Sequence, residues 1–153
     1  MMVTGQSRYA PGGSPPPSET QASSLLQEHQ AGTETILFVE DEESLRLVIT
    51  SFLTELGYRV LSAANAQEAM DISTGHSAQI DLLLTDVILG RINGPALAQK
   101  LLPTRPHLKV IYLSGYDDGI LAPQGVLEPG VILLHKPFTI KALSSKVREV
   151  LDE

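Results

Sequence analysis

Hydrophobic residues along this chain fall into five short runs separated by polar or glycine-containing segments. Apolar runs of about four to eight residues that include β-branched side chains are typical of strands buried on both faces of a parallel sheet. The sequence therefore predicts five strands. They lie at residues 35–39, 58–63, 80–85, 108–113 and 131–134.

The segments between these runs carry the periodicity of amphipathic helices. The first has apolar residues at intervals of three and four, and it predicts a one-faced helix that stops at Gly57. Its predicted buried stripe is Leu45, Val48, Ile49, Phe52, Leu53 and Leu56. Further helices are predicted after the cap Asn65, from Pro95, across 117–126 and after the cap Thr139. The last of these has the predicted stripe Ile140, Leu143, Val147, Val150 and Leu151.

Strand and helix alternate along the whole of this region. Such alternation with short connections predicts an α/β domain, in which a doubly wound parallel sheet has right-handed crossovers. The first 33 residues differ, because the segment 12–18 is rich in Pro, Gly and Ser. We therefore predict a flexible linker at 1–33 and one folded domain at 34–153.

Composition excludes several classes of function. The chain has a net charge of -7 and no cluster of Lys or Arg, which argues against a nucleic-acid surface. It has no Cys, so disulfides and thiolate metal sites are excluded. There is no signal-peptide core, and no apolar run approaches the roughly 20 residues that span a bilayer. We expect a cytoplasmic protein without membrane contact.

Reactive side chains follow four of the five predicted strands. Glu40 and Asp41 come after the first, Asp86 after the third, Ser114 after the fourth and Lys136 after the fifth. Ligands of open parallel sheets bind beyond the carboxyl ends of the strands, so we expect these side chains to converge. Three close carboxylates need a cation, and hard oxygen ligands suit Mg²⁺. A carboxylate can also be a nucleophile toward a phosphoryl group whose oxygens contact an amine and a hydroxyl.

Four motifs resemble those of the receiver domains of two-component signalling. They are ILFVEDEE at 36–43, DLLLTDV at 81–87, YLSGY at 112–116 and HKPF at 135–138. The resemblance covers residues 35–151 and is greatest to the C-terminal receivers of hybrid sensor histidine kinases. It implies a flavodoxin-like fold whose five-stranded parallel sheet has the order 2-1-3-4-5.

The resemblance implies a role for each matching position. Asp86 is the expected phosphoacceptor, and Ser114 and Lys136 are expected to contact the phosphoryl group. The Lys136–Pro137 bond matches the cis peptide of the family. The expected Mg²⁺ ligands are Glu40, Asp41, Asp86 and the backbone carbonyl of Ile88, with Asp41 more direct than Glu40.

Three positions depart from the usual pattern of the family. Leu89–Gly90 replaces Met-Pro, from which we expect a more flexible loop. Leu133 stands where many members have the Tyr or Phe whose rotation reports phosphorylation, and an aliphatic side chain cannot make the same polar exchange at the surface. Glu40 replaces the commoner Asp, and its longer side chain favours metal contact through water.

The expected function is that of a phosphoacceptor rather than an enzyme. Asp86 would accept a phosphoryl group from a histidine kinase, a phosphotransfer domain or a small donor, and the domain would assist this transfer and the later hydrolysis. The departures leave open an alternative, a docking module that works without phosphorylation. A hydrolase with an aspartyl nucleophile is a third hypothesis, but such enzymes have a second acid where this chain has Ile88.

The sequence also suggests a context for the domain. A Pro-rich linker suits a receiver attached to a hybrid kinase, and a free-standing regulator is the alternative. Because the chain ends at Glu153, directly after the last predicted helix, we expect no DNA-binding output domain. Phosphorylation is expected to alter the surface formed by the fourth helix, the fifth strand and the fifth helix, through which a homodimer could also form.

Overall fold

Five parallel strands form a single sheet in the computed structural model, which describes residues 31–115 and 131–153. The strands are β1 (Thr35–Val39), β2 (Arg59–Ala63), β3 (Leu82–Asp86), β4 (Lys109–Ser114) and β5 (Leu133–His135). Their order is β2-β1-β3-β4-β5, and every neighbouring pair is parallel. The predicted flavodoxin-like sheet and its strand order are therefore confirmed.

In the described residues, a helix follows each of β1, β2, β3 and β5. These helices are α1 (Glu43–Glu55), α2 (Ala66–Gly75), α3 (Gly94–Leu101) and α4 (Ile140–Leu151). The helix predicted at 117–126 lies outside the described residues, so α4 is the fifth helix of the sequence prediction. None of the helices in the described part of the chain combines the length and apolar character needed to cross a bilayer.

Side-chain caps mark where α2 and α4 begin. The Asn65 side chain accepts a hydrogen bond from the Glu68 amide at 2.8 Å, and Thr139 Oγ1 accepts one from the Ala142 amide at 3.0 Å. Both caps were predicted, and both are confirmed. Each satisfies a backbone N–H of the first turn that has no partner within its own helix.

The sheet is covered by core residues on both faces, because successive strand residues point to opposite sides. Leu37 and Val39 of β1 pack with α2 and α3, whereas Ile36 and Phe38 pack with α1 and α4. These four side chains are fully buried. The continuous apolar runs in the sequence therefore reflect two separate cores, one on each side of the sheet.

Two residues of the predicted helix stripes are exposed. Val48 of α1 is 58% exposed, as is its neighbour Leu47, and Ile140 of α4 is 43% exposed. The prediction that Val48 and Ile140 are buried is therefore wrong. The buried face of α1 is narrower than its apolar pattern, and Ile140 is the first residue of its helix, before the first buried position Leu143.

The amino-terminal end of the sheet is held by Arg148 of α4. Its guanidinium bonds both oxygens of Glu34, at 2.9 and 2.8 Å, and also Asp152, the Tyr58 hydroxyl and the Ala31 carbonyl. These hydrogen bonds from Arg148 lower the pKa of Glu34 to about 2. We call this group the Arg148 anchor. It fixes the chain just before β1 to the end of the last helix.

Candidate functional site

Two predicted site residues are the last residues of their strands, not the residues after them. Asp86 ends β3, where it pairs in register with Leu113, and Ser114 ends β4, where it pairs with His135. The strands were predicted to end one residue earlier. The ladder continues because strand pairing depends on backbone groups, which the polar side chains of Asp86 and Ser114 leave available.

Lys136 lies between two buried acids at the carboxyl ends of the strands. Its Nζ is 2.9 Å from Asp86 Oδ1 and 3.1 Å from Glu40 Oε1. Glu40 is 1% exposed and Asp86 is 4% exposed, so neither carboxylate is well hydrated. The predicted meeting of side chains from β1, β3 and β5 is therefore present.

Burial and charge change the proton affinities of this group in opposite ways. Burial raises the pKa of the Asp86 carboxyl, and the neighbouring Glu40 raises it further, which outweighs the lowering by Lys136. Burial alone would lower the pKa of Lys136, but the two carboxylates outweigh it and raise that pKa. The site therefore disfavours the charge of Asp86 and favours the charge of Lys136.

Three acids are close enough to share a cation. One oxygen each from Glu40, Asp41 and Asp86 lie within 4.8 Å of one another. Asp86 Oδ1 is buried and, among the described residues, has the ion pair with Lys136 but no well-aligned hydrogen bond. Such a buried carboxylate oxygen beside two further acids fits a hard cation such as Mg²⁺, which prefers oxygen ligands.

Glu40 is the acid whose oxygens are already engaged. Oε1 accepts a hydrogen bond from Lys136, and Oε2 accepts one from the Glu42 amide at 3.1 Å. Asp41, in contrast, is exposed at the mouth of the site. This difference supports the expectation that Asp41 is the more direct ligand and that Glu40 acts through water.

The loop after Asp86 is anchored at several points. The Val87 carbonyl accepts a hydrogen bond from the Gly94 amide at 2.7 Å, and the Val87 amide donates to Leu113 at 2.9 Å. The Ile88 carbonyl accepts no hydrogen bond from the described residues, whereas Leu89 is buried in the core of the α2 and α3 face. The Ile88 carbonyl therefore remains available as a ligand.

Gly90 changes the expectation for this loop. Its φ is +97°, a left-handed conformation that glycine adopts easily and that proline, with φ near -65°, cannot adopt. The sequence alone predicts only that replacing Pro by Gly makes the loop more flexible. Gly90 in fact gives the backbone a path that is closed to the usual proline of the family.

Ser114 and Lys136 are linked through their backbones. The Lys136 amide donates to the Ser114 carbonyl at 2.8 Å, and the Ser114 hydroxyl is buried near the Gly115 carbonyl, at 3.4 Å. The Lys136–Pro137 peptide is cis, as the resemblance implied. Leu133 is partly buried and packs against the α2 and α3 core. As an aliphatic residue it has no polar side-chain group that could move between buried and exposed positions.

Two features of the site were not predicted. One is the contact between Lys136 and Glu40, since the position of Lys136 after β5 indicated only that it faces Asp86. The other is Gly94, whose closeness to the Asp86 main chain has no signal in the sequence beyond the pair Gly94–Pro95. Tyr116, at the end of the third motif, lies outside the described residues.

Comparison with known proteins gives matches to curated relatives. The chain is 33% identical over 123 residues to the sensor kinase CckA of Brucella abortus, which is 80% of this chain and 13% of that protein. It is 27% identical over 116 residues to the response regulator receiver protein CpdR of the same organism, which is 76% of this chain and 95% of CpdR. The chain thus spans a small part of the kinase and almost all of the receiver protein.

Solved structures give the same result. The receiver domain of the hybrid histidine kinase CckA is 38% identical, with a TM-score of 0.65, and the alignment covers 76% of this chain and 98% of that one. A receiver protein of Sinorhizobium medicae is 30% identical, with a TM-score of 0.68, covering 78% and 95%. The family model for the response regulator receiver domain matches residues 36–148. Since that match covers most of the chain, the protein belongs to the response regulator receiver domain family of two-component signalling.

Proposed function

We propose that this domain accepts a phosphoryl group on Asp86 in a two-component phosphorelay. The observation that carries the proposal is the position of the Lys136 ammonium, 2.9 Å from Asp86 and 3.1 Å from Glu40 inside a cluster of three acids. A structural role for the cluster would be better served by apolar residues, because buried carboxylates cost stability when few groups pair with them.

The chain's own residues divide the work of the transfer. A carboxylate oxygen of Asp86 attacks the phosphorus of a phosphohistidine, the N–P bond breaks as the O–P bond forms, and the imidazole leaves. Lys136 then contacts a phosphoryl oxygen in place of the carboxylate, as a point charge. The Ser114 hydroxyl donates to a second oxygen. When bound, Mg²⁺ would neutralise negative charge on the phosphoryl oxygens.

The contacts in the site support a particular set of residues as ligands of this ion. Asp41 and Asp86 offer the carboxylate oxygens that are least engaged, and the Ile88 carbonyl offers a backbone oxygen. Glu40 would reach the ion through water, because the protein already contacts both of its carboxylate oxygens. Mg²⁺ keeps several waters and takes few protein ligands, so this set is sufficient.

The phosphoryl donor would be a histidine kinase or a phosphotransfer domain. Large apolar side chains are exposed on α1, on the loop after β3 and at the start of α4, all of which adjoin the strand ends that carry the acids. Exposed apolar groups beside a site suit a docking partner. They are Leu47, Val48, Ile88 and Ile140.

The same proposal includes the setting of the domain. Its similarity to the CckA receiver suits a receiver of a hybrid kinase in the cytoplasm, with a free-standing regulator as the alternative. Kinase activity itself would belong to another part of such a protein. Homodimerisation through the fifth strand and the helices beside it stays a prediction, as does the linker at 1–33.

Incubation with acetyl phosphate and Mg²⁺, followed by intact-mass analysis, tests the proposal. We expect one added phosphoryl group in the wild type and none in Asp86→Asn. Asp71→Asn is the matched control, because Asp71 is an exposed acid of α2 that, among the described residues, bonds only the Gln67 side chain. Equal labelling of all three proteins would refute the assignment of Asp86. No labelling and no response to Mg²⁺ with beryllofluoride would favour the docking module.

A further inference from the structure

Helix α3 begins directly against the main chain of Asp86. A Cβ placed on Gly94 would overlap the backbone carbonyl oxygen of Asp86. It would also come within 3.2 Å of the Asp86 carbonyl carbon and of Thr85 Cγ2. Backbone atoms of a central strand cannot rotate away as the end of a side chain can. Any residue larger than Gly at position 94 must therefore displace either α3 or Asp86.

The constraint at Gly94 is one of space and not of backbone conformation. Its φ lies outside the left-handed region, whereas Gly90 in the same loop has φ +97° and would have nothing within 4 Å of an added Cβ. Gly90 is thus required by its dihedral angle and Gly94 by its neighbours. The two glycines give the loop from 87 to 93 its shape for different reasons.

Several contacts hold the start of α3 in this position. The Gly94 amide donates to the Val87 carbonyl at 2.7 Å, which closes the loop after β3. The Asn93 side chain accepts a hydrogen bond from the Ala96 amide at 2.8 Å and caps the helix. Leu89 anchors the middle of the loop in the core. The segment that carries the Ile88 carbonyl is therefore fixed at both ends and near its centre.

We propose that Gly94 is a positioning residue for the acceptor site. By allowing α3 to start in contact with the main chain of Asp86, it sets where the Asp86 carboxylate and the Ile88 carbonyl lie relative to each other. This inference rests on the proposed function, in which those two groups hold the cation and accept the phosphoryl group. Groups that orient metal ligands typically change affinity or activity by about 10- to 100-fold when they are altered.

The test compares Gly94→Ala with Gly75→Ala in ¹⁵N-labelled protein. Gly75 ends α2 and would have nothing within 4 Å of an added Cβ, so it controls for the substitution itself. The amide signals of Asp86 and Val87 are first recorded without metal. Mg²⁺ is then titrated to obtain its Kd, and labelling by acetyl phosphate is timed at saturating Mg²⁺. Urea unfolding measures the stability of each protein.

We expect Gly94→Ala to move the Asp86 and Val87 amide signals in the metal-free protein. We also expect it to raise the Mg²⁺ Kd by about 10-fold and to slow labelling by at least as much. Gly75→Ala should match the wild type in all three. A Gly94→Ala protein that is less stable but keeps the wild-type signals, Kd and labelling rate would overturn the inference, since its glycine would then be only structural.

A second variant covers the case in which Gly94→Ala does not fold. Asn93→Ala removes the cap and loosens the start of α3 without adding atoms beside Asp86, so it should shift the same amides by a smaller amount. Unchanged Asp86 and Val87 signals in Asn93→Ala would then count against the inference. If the wild type takes up no phosphoryl group, the proposed function fails, but the metal-free amide signals still decide the role of Gly94.

Discussion

Replacing Lys136 by Met would remove the ammonium that separates Glu40 from Asp86. Met keeps most of the length and volume of the Lys side chain, so the change is mainly one of charge. At an effective dielectric constant of about 20, opposite unit charges about 3 Å apart attract by about 5 kcal/mol. Lys136 lies at 3.1 and 2.9 Å from the two carboxylates, so it takes part in two such interactions.

The measured loss of stability should be smaller than these gross attractions. Breaking a fully buried ion pair typically costs about 3–5 kcal/mol. The Lys136 side chain is 28% exposed, so water screens part of its charge. Asp86 can also take up a proton, since its pKa is already raised by burial and by Glu40. We therefore expect Lys136→Met to lower the free energy of unfolding by about 2–3 kcal/mol at pH 7 without Mg²⁺.

Lys146→Met is the matched control for this measurement. The Lys146 side chain is 29% exposed, against 28% for Lys136. It pairs with Glu149 at 3.5 Å, but Glu149 is 63% exposed. An exposed pair of this kind contributes about 0–1 kcal/mol. Urea unfolding followed by circular dichroism in EDTA gives the free energy for each variant. The difference between the two variants isolates the effect of burying the partner acids.

The stability deficit of Lys136→Met should also depend on pH and on Mg²⁺ in a definite direction. Removing Lys136 raises the pKa of Asp86 in the folded state further, and stability from such a group is lost as the pH rises. The deficit of Lys136→Met should therefore stay nearly level between about pH 4 and pH 8, where Asp86 keeps its proton in both folded proteins, and should grow above the wild-type Asp86 pKa of about 8. Saturating Mg²⁺ should recover more stability in the variant than in the wild type, because Lys136 no longer competes for Asp86. Equal losses for both Lys variants, or a deficit that shrinks with pH, would refute this reasoning.

Three further predictions concern the rest of the domain. Glu34→Gln should lower the free energy of unfolding by about 1 kcal/mol at pH 7. Because Arg148 lowers the Glu34 pKa from 4.5 to about 2, the wild type should lose this stability as the pH falls from 4.5 to about 2, which an acid titration can measure. Gly57→Ala should cost more than about 1 kcal/mol by urea unfolding, since Gly57 has φ +106° and its Cβ would overlap the Gly32 carbonyl. Asn65→Ala should lower stability by about 1 kcal/mol through loss of the cap, whereas Asn65→Asp should not.

The sequence predicted the fold because the runs of apolar residues are long enough to mark both faces of the sheet. It placed Asp86 and Ser114 just after their strands, whereas the ladder includes them. Side-chain polarity marks where the core stops, but strand pairing depends on the backbone groups of a neighbouring strand. The sequence of one segment does not show how far that pairing extends. The prediction that Val48 and Ile140 are buried was wrong for a related reason, because apolar character alone does not set the width of a buried helix face.

The site could be predicted as a set of residues but not as a network of contacts. Position at strand ends was enough to bring Asp86 and Lys136 together. It could not show that Lys136 also contacts Glu40, since that depends on the direction of a long, flexible side chain. It also could not show why position 94 needs Gly, because the obstacle there is the main chain at the end of β3 and not a local dihedral angle.

The Arg148 anchor and the acid cluster lie at opposite ends of β1. Five residues of strand, about 17 Å of extended chain, separate Glu34 from Glu40. The described chain, which begins at residue 31, therefore enters the domain at the end of the sheet remote from the carboxylates. Because the Arg148 guanidinium bonds both Glu34 and the Ala31 carbonyl, a shift of α4 would act directly on the chain just before β1.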